Sequence, residues 1–248
     1  MTLVKICGIR DPETAVEAAK AGADMIGLMF AESRRKVTPQ QCYDICEAIR
    51  RFERRLPAPA DFQGPATGEV RGLGWFSAWS EAIGEATMRW RPLIVGVFAD
   101  QSLAEVNDIA DAAGLDLVQL SGGEDWDFAR KVQRPVLAAM HVGEQTTPDD
   151  LLERAQELRT AGLMLDTASK GARGGTGQAF NWEIAREFAQ RVPFLLAGGL
   201  SPENVADAVT SVEPWGVDVS TGVETDGVKD VEKIRAFIRA AKGVHFAR

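Results

Sequence analysis

Residues 194–220 run Phe194-Leu195-Leu196-Ala197, then Gly198-Gly199-Leu200-Ser201-Pro202, then a helical pattern to residue 211, then Gly216-Val217-Asp218-Val219-Ser220. The order is a short apolar run, a glycine turn, a serine before a proline, an apolar-periodic stretch and a second apolar run. That is one strand–helix–strand unit. Two strands with a helix between them cannot pair through a hairpin, so they lie parallel and are joined by a right-handed crossover.

The same alternation extends over the rest of the chain. Strand patterns fall at Leu3–Cys7, Met25–Phe30, Leu93–Phe98, Leu117–Leu120, Val136–Met140, Leu163–Asp166, Phe194–Ala197 and Gly216–Ser220. Helical patterns follow near 12–21, 39–54, 102–113, 125–132, 147–160, 181–190, 202–211 and 230–241. Asp11-Pro12, Thr38-Pro39, Thr147-Pro148 and Ser201-Pro202 each place a capping side chain before a proline at the first helical position. Eight such units in 248 residues predict an α/β protein, a single (β/α)8 TIM barrel spanning 1–248. An open doubly wound sheet is the structural alternative. Residues 55–92 break the rhythm as an insertion between helix 2 and strand 3. They read as a proline- and glycine-rich loop followed by an amphipathic helix from Trp75 to Ile83. Such a connection belongs at the N-terminal (bottom) face of a barrel. Its Trp75, Trp79 and Trp90 suit either packing on the barrel or a homo-oligomer contact.

Lys plus Arg total 28 against 36 Asp plus Glu, a formal charge of −8. No global field then draws nucleic acid or an anionic membrane, and a bound phosphate must be held locally. No apolar run is long enough to span a bilayer, and the N-terminus enters a strand pattern with no signal-peptide character. Three cysteines, Cys7, Cys42 and Cys46, fit no disulfide framework and suit a reducing cytoplasm. With two histidines and no ligand-spaced cluster, neither a metal nor a cofactor is expected.

In a barrel the chemistry sits where the strands end. Alternation along strand 1 turns Leu3, Lys5 and Cys7 to one face and Val4 and Ile6 to the other. Lys5 and Cys7 should point inward, with the ammonium favouring a Cys7 thiolate and making it a base or nucleophile. A charged Lys5 in the interior needs a partner, and Asp218 on the adjoining eighth strand is the candidate. Asp166 ends strand 6 ahead of a loop with four glycines in residues 171–177, and partial burial suits it to general-acid work. Gly198-Gly199 before a helix start, completed by Thr221-Gly222, forms an anion site at the loops where this fold binds phosphate. Neither the P-loop nor the dinucleotide fingerprint is present, so ATP and NAD are not implied.

These pieces together resemble the phosphoribosylanthranilate isomerase family of tryptophan biosynthesis. The resemblance rests on Lys5-Ile6-Cys7-Gly8, Gly174-Gly175-Thr176-Gly177 after Asp166, Ala197-Gly198-Gly199-Leu200 with Asn204-Val205, and Gly216-Val217-Asp218-Val219-Ser220 leading to Gly222-Val223-Glu224. Gly96-Val97-Phe98 and Val118-Gln119-Leu120 fit strands 3 and 4. It implies a cofactor-free Amadori rearrangement of a small phosphoribosyl substrate, with Asp166 as general acid and Cys7 as general base. It further implies that Arg35 faces the anthranilate carboxylate and that phosphate lies among Gly175, Thr176, Gly177, Gly198, Gly199, Thr221 and Gly222. Asp218 joins this substrate-facing set. Two stretches depart from the family. Ser121 stands where Gln-Leu-His-Gly is usual, and Arg34-Arg35-Lys36 where Pro-Arg-Tyr is common. Rival readings are a related or dual-substrate phosphoribosyl isomerase of histidine biosynthesis and a decayed barrel that only binds a phosphosugar.

Overall fold

The computed structural model describes residues 2–53, 72–90, 92–143, 145–157, 160–166 and 182–244. Eight parallel strands close into a barrel in chain order: β1 (Leu3–Cys7), β2 (Met25–Met29), β3 (Leu93–Phe98), β4 (Leu117–Leu120), β5 (Val136–His141), β6 (Gly162–Asp166), β7 (Leu195–Ala197) and β8 (Gly216–Val219). Around them run α1 (Pro12–Ala21), α2 (Pro39–Glu53), α3 (Gly74–Arg89), α4 (Leu103–Ala113), α5 (Trp126–Ala129), α6 (Pro148–Glu157), α7 (Trp182–Ala189), α8 (Val205–Val212) and α9 (Val231–Lys242). The barrel closes where Leu3 meets Gly216 and Lys5 meets Asp218 in register.

Alternation divides each strand between two cores. Val4, Ile6, Ile26, Leu28, Ile94 and Val118 pack outward with apolar residues of the helices, such as Ala15, Ala18, Ile45 and Phe237. Leu3, Met25, Leu93, Val95, Leu117, Leu137, Met164 and Leu195 form a second buried cluster inside the barrel. Lys5 and Cys7 share the parity of Leu3 and therefore face inward.

Most predicted starts are capped as expected. Asp11 accepts the Thr14 amide at 2.8 Å, and Thr38 and Thr147 engage Gln41 and Asp150 in reciprocal bonds. The Ser201-Pro202 start is a correction, because α8 begins only at Val205. The Ser201 carbonyl accepts from the amides of both Asn204 and Val205, while the Asn204 side chain bonds Ser201 N at 2.8 Å and Gly199 O at 3.0 Å. That local turn uses the residues expected to form the first helical turn, and so delays the helix. The helix expected over 125–132 is also shorter, at Trp126–Ala129.

The helical half expected within residues 55–92 is α3; residues 54–71 and 91 lie outside the described residues. Ile83 and Ala86 of α3 join the inner cluster beside Leu3, Leu93 and Leu117, each the first residue of its strand. Trp75 is 7% exposed and its indole N–H donates to the Thr160 carbonyl just before β6, at 2.9 Å.

Inside the barrel the Lys5 ammonium lies 2.7 Å from Asp218 Oδ1 and has no exposed surface. A buried charge left without its partner costs more than the pair contributes. Asp218→Asn should therefore lower the unfolding free energy by about 3–5 kcal/mol, while Lys5→Met/Asp218→Leu recovers much of that loss. Urea titration checks this; a loss under about 1 kcal/mol in Asp218→Asn would show that the pair does not hold the barrel closed.

Candidate active site

Cys7 ends β1 and is 4% exposed. A methyl group placed on Gly27, its register partner on β2, would meet Cys7 Sγ at 2.9 Å and Lys5 Nζ at 3.1 Å, so the thiol and the ammonium flank one point of the inner wall. The sequence expectation of a ready thiolate is corrected. Burial pushes the Cys7 thiol above its ordinary value, and the neighbouring Asp218 carboxylate adds to this, while Lys5 and Lys229 oppose it. Lys5 remains charged: burial works against its ammonium, but the Asp218 carboxylate outweighs the penalty and raises its pKa. The resting group is a thiol close to two cations, one of them already paired with Asp218.

Over this point lies the loop after β2. The Arg35 side chain packs on Gly8, where an added Cβ would come within 2.5 Å of Arg35 Cδ, so the residue after Cys7 has to be glycine. Gly8 also takes φ +79°, which suits glycine. Arg35 makes a two-pronged contact with Glu224, Nε to Oε1 at 2.6 Å and Nη2 to Oε2 at 3.1 Å. Arg34 reaches the same carboxylate from outside, at 2.5 Å, with its side chain 53% exposed against 15% for Arg35. Lys229 completes the cluster at 2.9 Å from Glu224 Oε1, and also donates to the Ser220 carbonyl at 2.8 Å. Burial lowers the Lys229 pKa despite the support of Glu224 and Cys7.

Glu224 is the residue whose part in the site the sequence did not reveal. The chain marks it only as the last residue of the Gly222-Val223-Glu224 motif. It opens a two-strand hairpin, Glu224–Thr225 with Val228–Lys229, which lies between β8 and α9. Burial alone would raise its pKa, but hydrogen bonds from Arg35 and Lys229 bring it down to about 2.

Beside this cluster, the loops after β7 and β8 touch. Gly198 and Gly199 take φ +96° and +66°. Thr221-Gly222 starts a single 3-10 turn, Thr221–Val223. A Cβ at Gly222 would fall 1.9 Å from the Leu200 carbonyl oxygen, so only glycine lets the two loops meet. The loops after β7 and β8 therefore meet backbone to backbone at the glycines that the sequence marked out for phosphate. Gly175, Thr176 and Gly177 lie outside the described residues. Asp218 turns its carboxylate to Lys5.

Asp166 ends β6 with its side chain 32% exposed, between Ala197 of β7 and His141 of β5 in register. The structure thus gathers Cys7, Arg35, Asp166, Gly198, Gly199, Thr221 and Gly222 at the C-terminal ends of the strands or in the loops that follow them. Among the described residues no group of three or more His, Cys, Asp or Glu is arranged to hold a metal ion.

The Glu224 cluster makes acid stability predictable. An unpaired glutamate titrates near 4.5 and this one near 2, so the folded state holds its carboxylate ionised where the unfolded chain is protonated. The resulting stability is fully present above pH 4.5 and is lost as the pH falls towards 2. Urea midpoints measured from pH 5 to 2 should fall less steeply in Glu224→Gln than in the unaltered chain.

The comparisons with known proteins agree with this architecture. The family described as N-(5'phosphoribosyl)anthranilate (PRA) isomerase matches residues 63–240. The N-(5'-phosphoribosyl)anthranilate isomerase of Dehalococcoides mccartyi is 36% identical over 247 residues, spanning 98% of this chain and 96% of that protein. A multifunctional tryptophan biosynthesis protein of Phycomyces blakesleeanus is 40% identical, and there the chain spans 33% of the relative's length. Among solved structures, the phosphoribosyl anthranilate isomerase of Thermotoga maritima superposes with a TM-score of 0.71 at 32% identity, covering 98% of this chain and 100% of that one. A motif set spread from β1 to β8, a closed barrel that brings it to one mouth, and full-length similarity converge: this chain belongs to the N-(5'-phosphoribosyl)anthranilate isomerase family.

Proposed function

We propose that the chain isomerises N-(5'-phosphoribosyl)anthranilate in tryptophan biosynthesis, with Asp166 as general acid and Cys7 as general base. The observation that carries the assignment is positional. An inward thiol at the end of β1 and a partly exposed carboxyl at the end of β6 lie at the same mouth as the glycine-mediated contact of the β7 and β8 loops. Asp166 protonates the furanose ring oxygen as the C1–O bond opens, and the aryl nitrogen supplies the electron pair that forms an iminium ion. The iminium acidifies the proton on C2, and Cys7 removes it as thiolate. The enolamine then takes a proton at C1 and loses one from the C2 hydroxyl, giving the ketone. No electrons leave the substrate, so the reaction asks for no redox cofactor.

Cys7's raised pKa fits this role in a particular way. A buried thiolate is scarce but strongly basic, and the Lys5 and Lys229 ammonium groups limit the cost of forming it. Arg35 is the arginine for the anthranilate carboxylate, because it is the one packed over Gly8 beside the base. It would exchange one carboxylate fork, Glu224, for another. Phosphate binds the backbone of Gly198, Gly199, Thr221 and Gly222, with Gly175, Thr176 and Gly177 completing the set. Asp218 acts on the substrate through Lys5 and Cys7.

The burial of Ile83 and Ala86 of α3 in the inner cluster, with Trp79 and Trp90 packed against it, favours a plug beneath a single barrel domain over a homo-oligomer contact. No helix among the described residues is long and apolar enough to cross a membrane. A cytoplasmic setting is the reading that suits three free cysteines.

Turnover of the substrate by the purified chain is the test. Cys7→Ala and Asp166→Asn should each lower kcat by about 100-fold or more. Either variant turning over at the original rate would remove its residue from the mechanism. The thiolate absorbance that disappears in Cys7→Ala should titrate above pH 9, since the thiol is neutral below its raised pKa and charged above it.

A further inference from the structure

We infer that His141 is the positioning residue for Asp166 and holds the proton that Asp166 delivers, an inference that rests on the acid assignment above. His141 is the last residue of β5 and Asp166 the last of β6, and the two are register partners. Leu137 and Met164, which share their parity, lie in the inner cluster, so both side chains stand at the inner rim of the barrel mouth. His141 Nδ1 lies 3.7 Å from Asp166 Oδ2, and His141 Nε2 lies 3.2 Å from the Ser121 backbone oxygen.

The second contact decides the protonation pattern. A backbone carbonyl can only accept, so Nε2 carries a hydrogen. Ser121 is itself fixed, its amide donating to Phe98 O at 2.9 Å and its hydroxyl accepting from Gln119 at 2.9 Å. With Nε2 committed, Nδ1 offers Asp166 either a lone pair or a second N–H. At 3.7 Å the two side chains are neighbours rather than hydrogen-bonded partners in the free chain, and a closer approach with substrate bound lets one proton pass between them. The nearby acidic groups of the β3 and β4 loops are occupied elsewhere. Glu124 accepts from the amides of Asp100 and Gly122, and Asp100 accepts from Gly123.

A carboxyl in water loses its proton near pH 3.9, whereas imidazole exchanges one near 6.5. A general acid working near neutrality therefore gains from an imidazole partner. Once substrate binding draws Nδ1 and Oδ2 from 3.7 Å to hydrogen-bond distance, the proton passes from Nδ1 to Oδ2 and then to the ring oxygen as the C1–O bond breaks. The pair is left without its shared proton. His141, whose side chain is 50% exposed, takes a replacement from water at Nδ1.

Steady-state turnover of phosphoribosylanthranilate by His141→Ala and His141→Gln tests this, with Asp166→Asn measured alongside and free imidazole added to the Ala variant. Both His141 variants should lose about tenfold to a hundredfold in kcat with KM within about twofold. Imidazole should restore the Ala variant several-fold. The Gln variant can keep hydrogen bonds but cannot move a proton, so it should stay slow. A Gln variant at the original kcat, a loss confined to KM, or an absent imidazole response each overturns the inference. If Asp166→Asn is slow while both His141 variants are fast, only this inference falls. If Asp166→Asn is itself fast, the acid assignment falls and takes this one with it. Thermal melts that stay within a few degrees separate a kinetic loss from misfolding, because a half-exposed side chain carries little of the core.

Discussion

A lysine ammonium with no exposed surface, 2.7 Å from an aspartate in the middle of a barrel, is the constraint from which the rest of the molecule follows. The pair joins β1 to β8, the first strand to the last, and so lies across the seam where the sheet closes on itself. Hydrophobic burial would accept many registers along that seam. An interior cation accepts only the one that brings Asp218 to it. Fixing that register also fixes Cys7, two residues on from Lys5, at the top of the inner wall beside Gly27.

Electrostatic support then reaches the mouth in two steps. Lys5 is largely neutralised by Asp218, which leaves burial to dominate the Cys7 thiol. Above it, Glu224 gathers Arg34, Arg35 and Lys229, tying the β2 loop to the segment after β8. The carboxylate at about pKa 2 keeps its charge throughout the working range, so Arg35 stays folded over Gly8 without a substrate. The Arg35 guanidinium is thus held in a two-pronged, carboxylate-bound geometry by Glu224.

The acid side of the mouth is more open. Asp166 and His141 keep about a third and a half of their side-chain surface, against almost none for Cys7. The difference suits the proposed tasks, since a proton-delivering carboxyl benefits from a route to water while a thiolate base gains strength from its exclusion.

The strand–helix alternation, the parity of Lys5 and Cys7, the Lys5–Asp218 pairing and the glycine-lined mouth could all be read from the chain. They depend on periodicity and on charge needing a partner, which are local or nearly local constraints. The delayed start of α8 could not, because the Asn204 turn competes with a good helix start by making bonds that only the folded loop brings together. Nor could the protonation of Cys7, where burial outweighs the cation two residues away. Glu224 lies 189 residues from Arg35 in the chain, and His141 meets Asp166 only through strand register. The sequence alone determined which chemical groups are present and which face of each strand carries them. Tertiary structure decided which groups touch and how much water each retains, because those follow from how eight separate strands close into one ring.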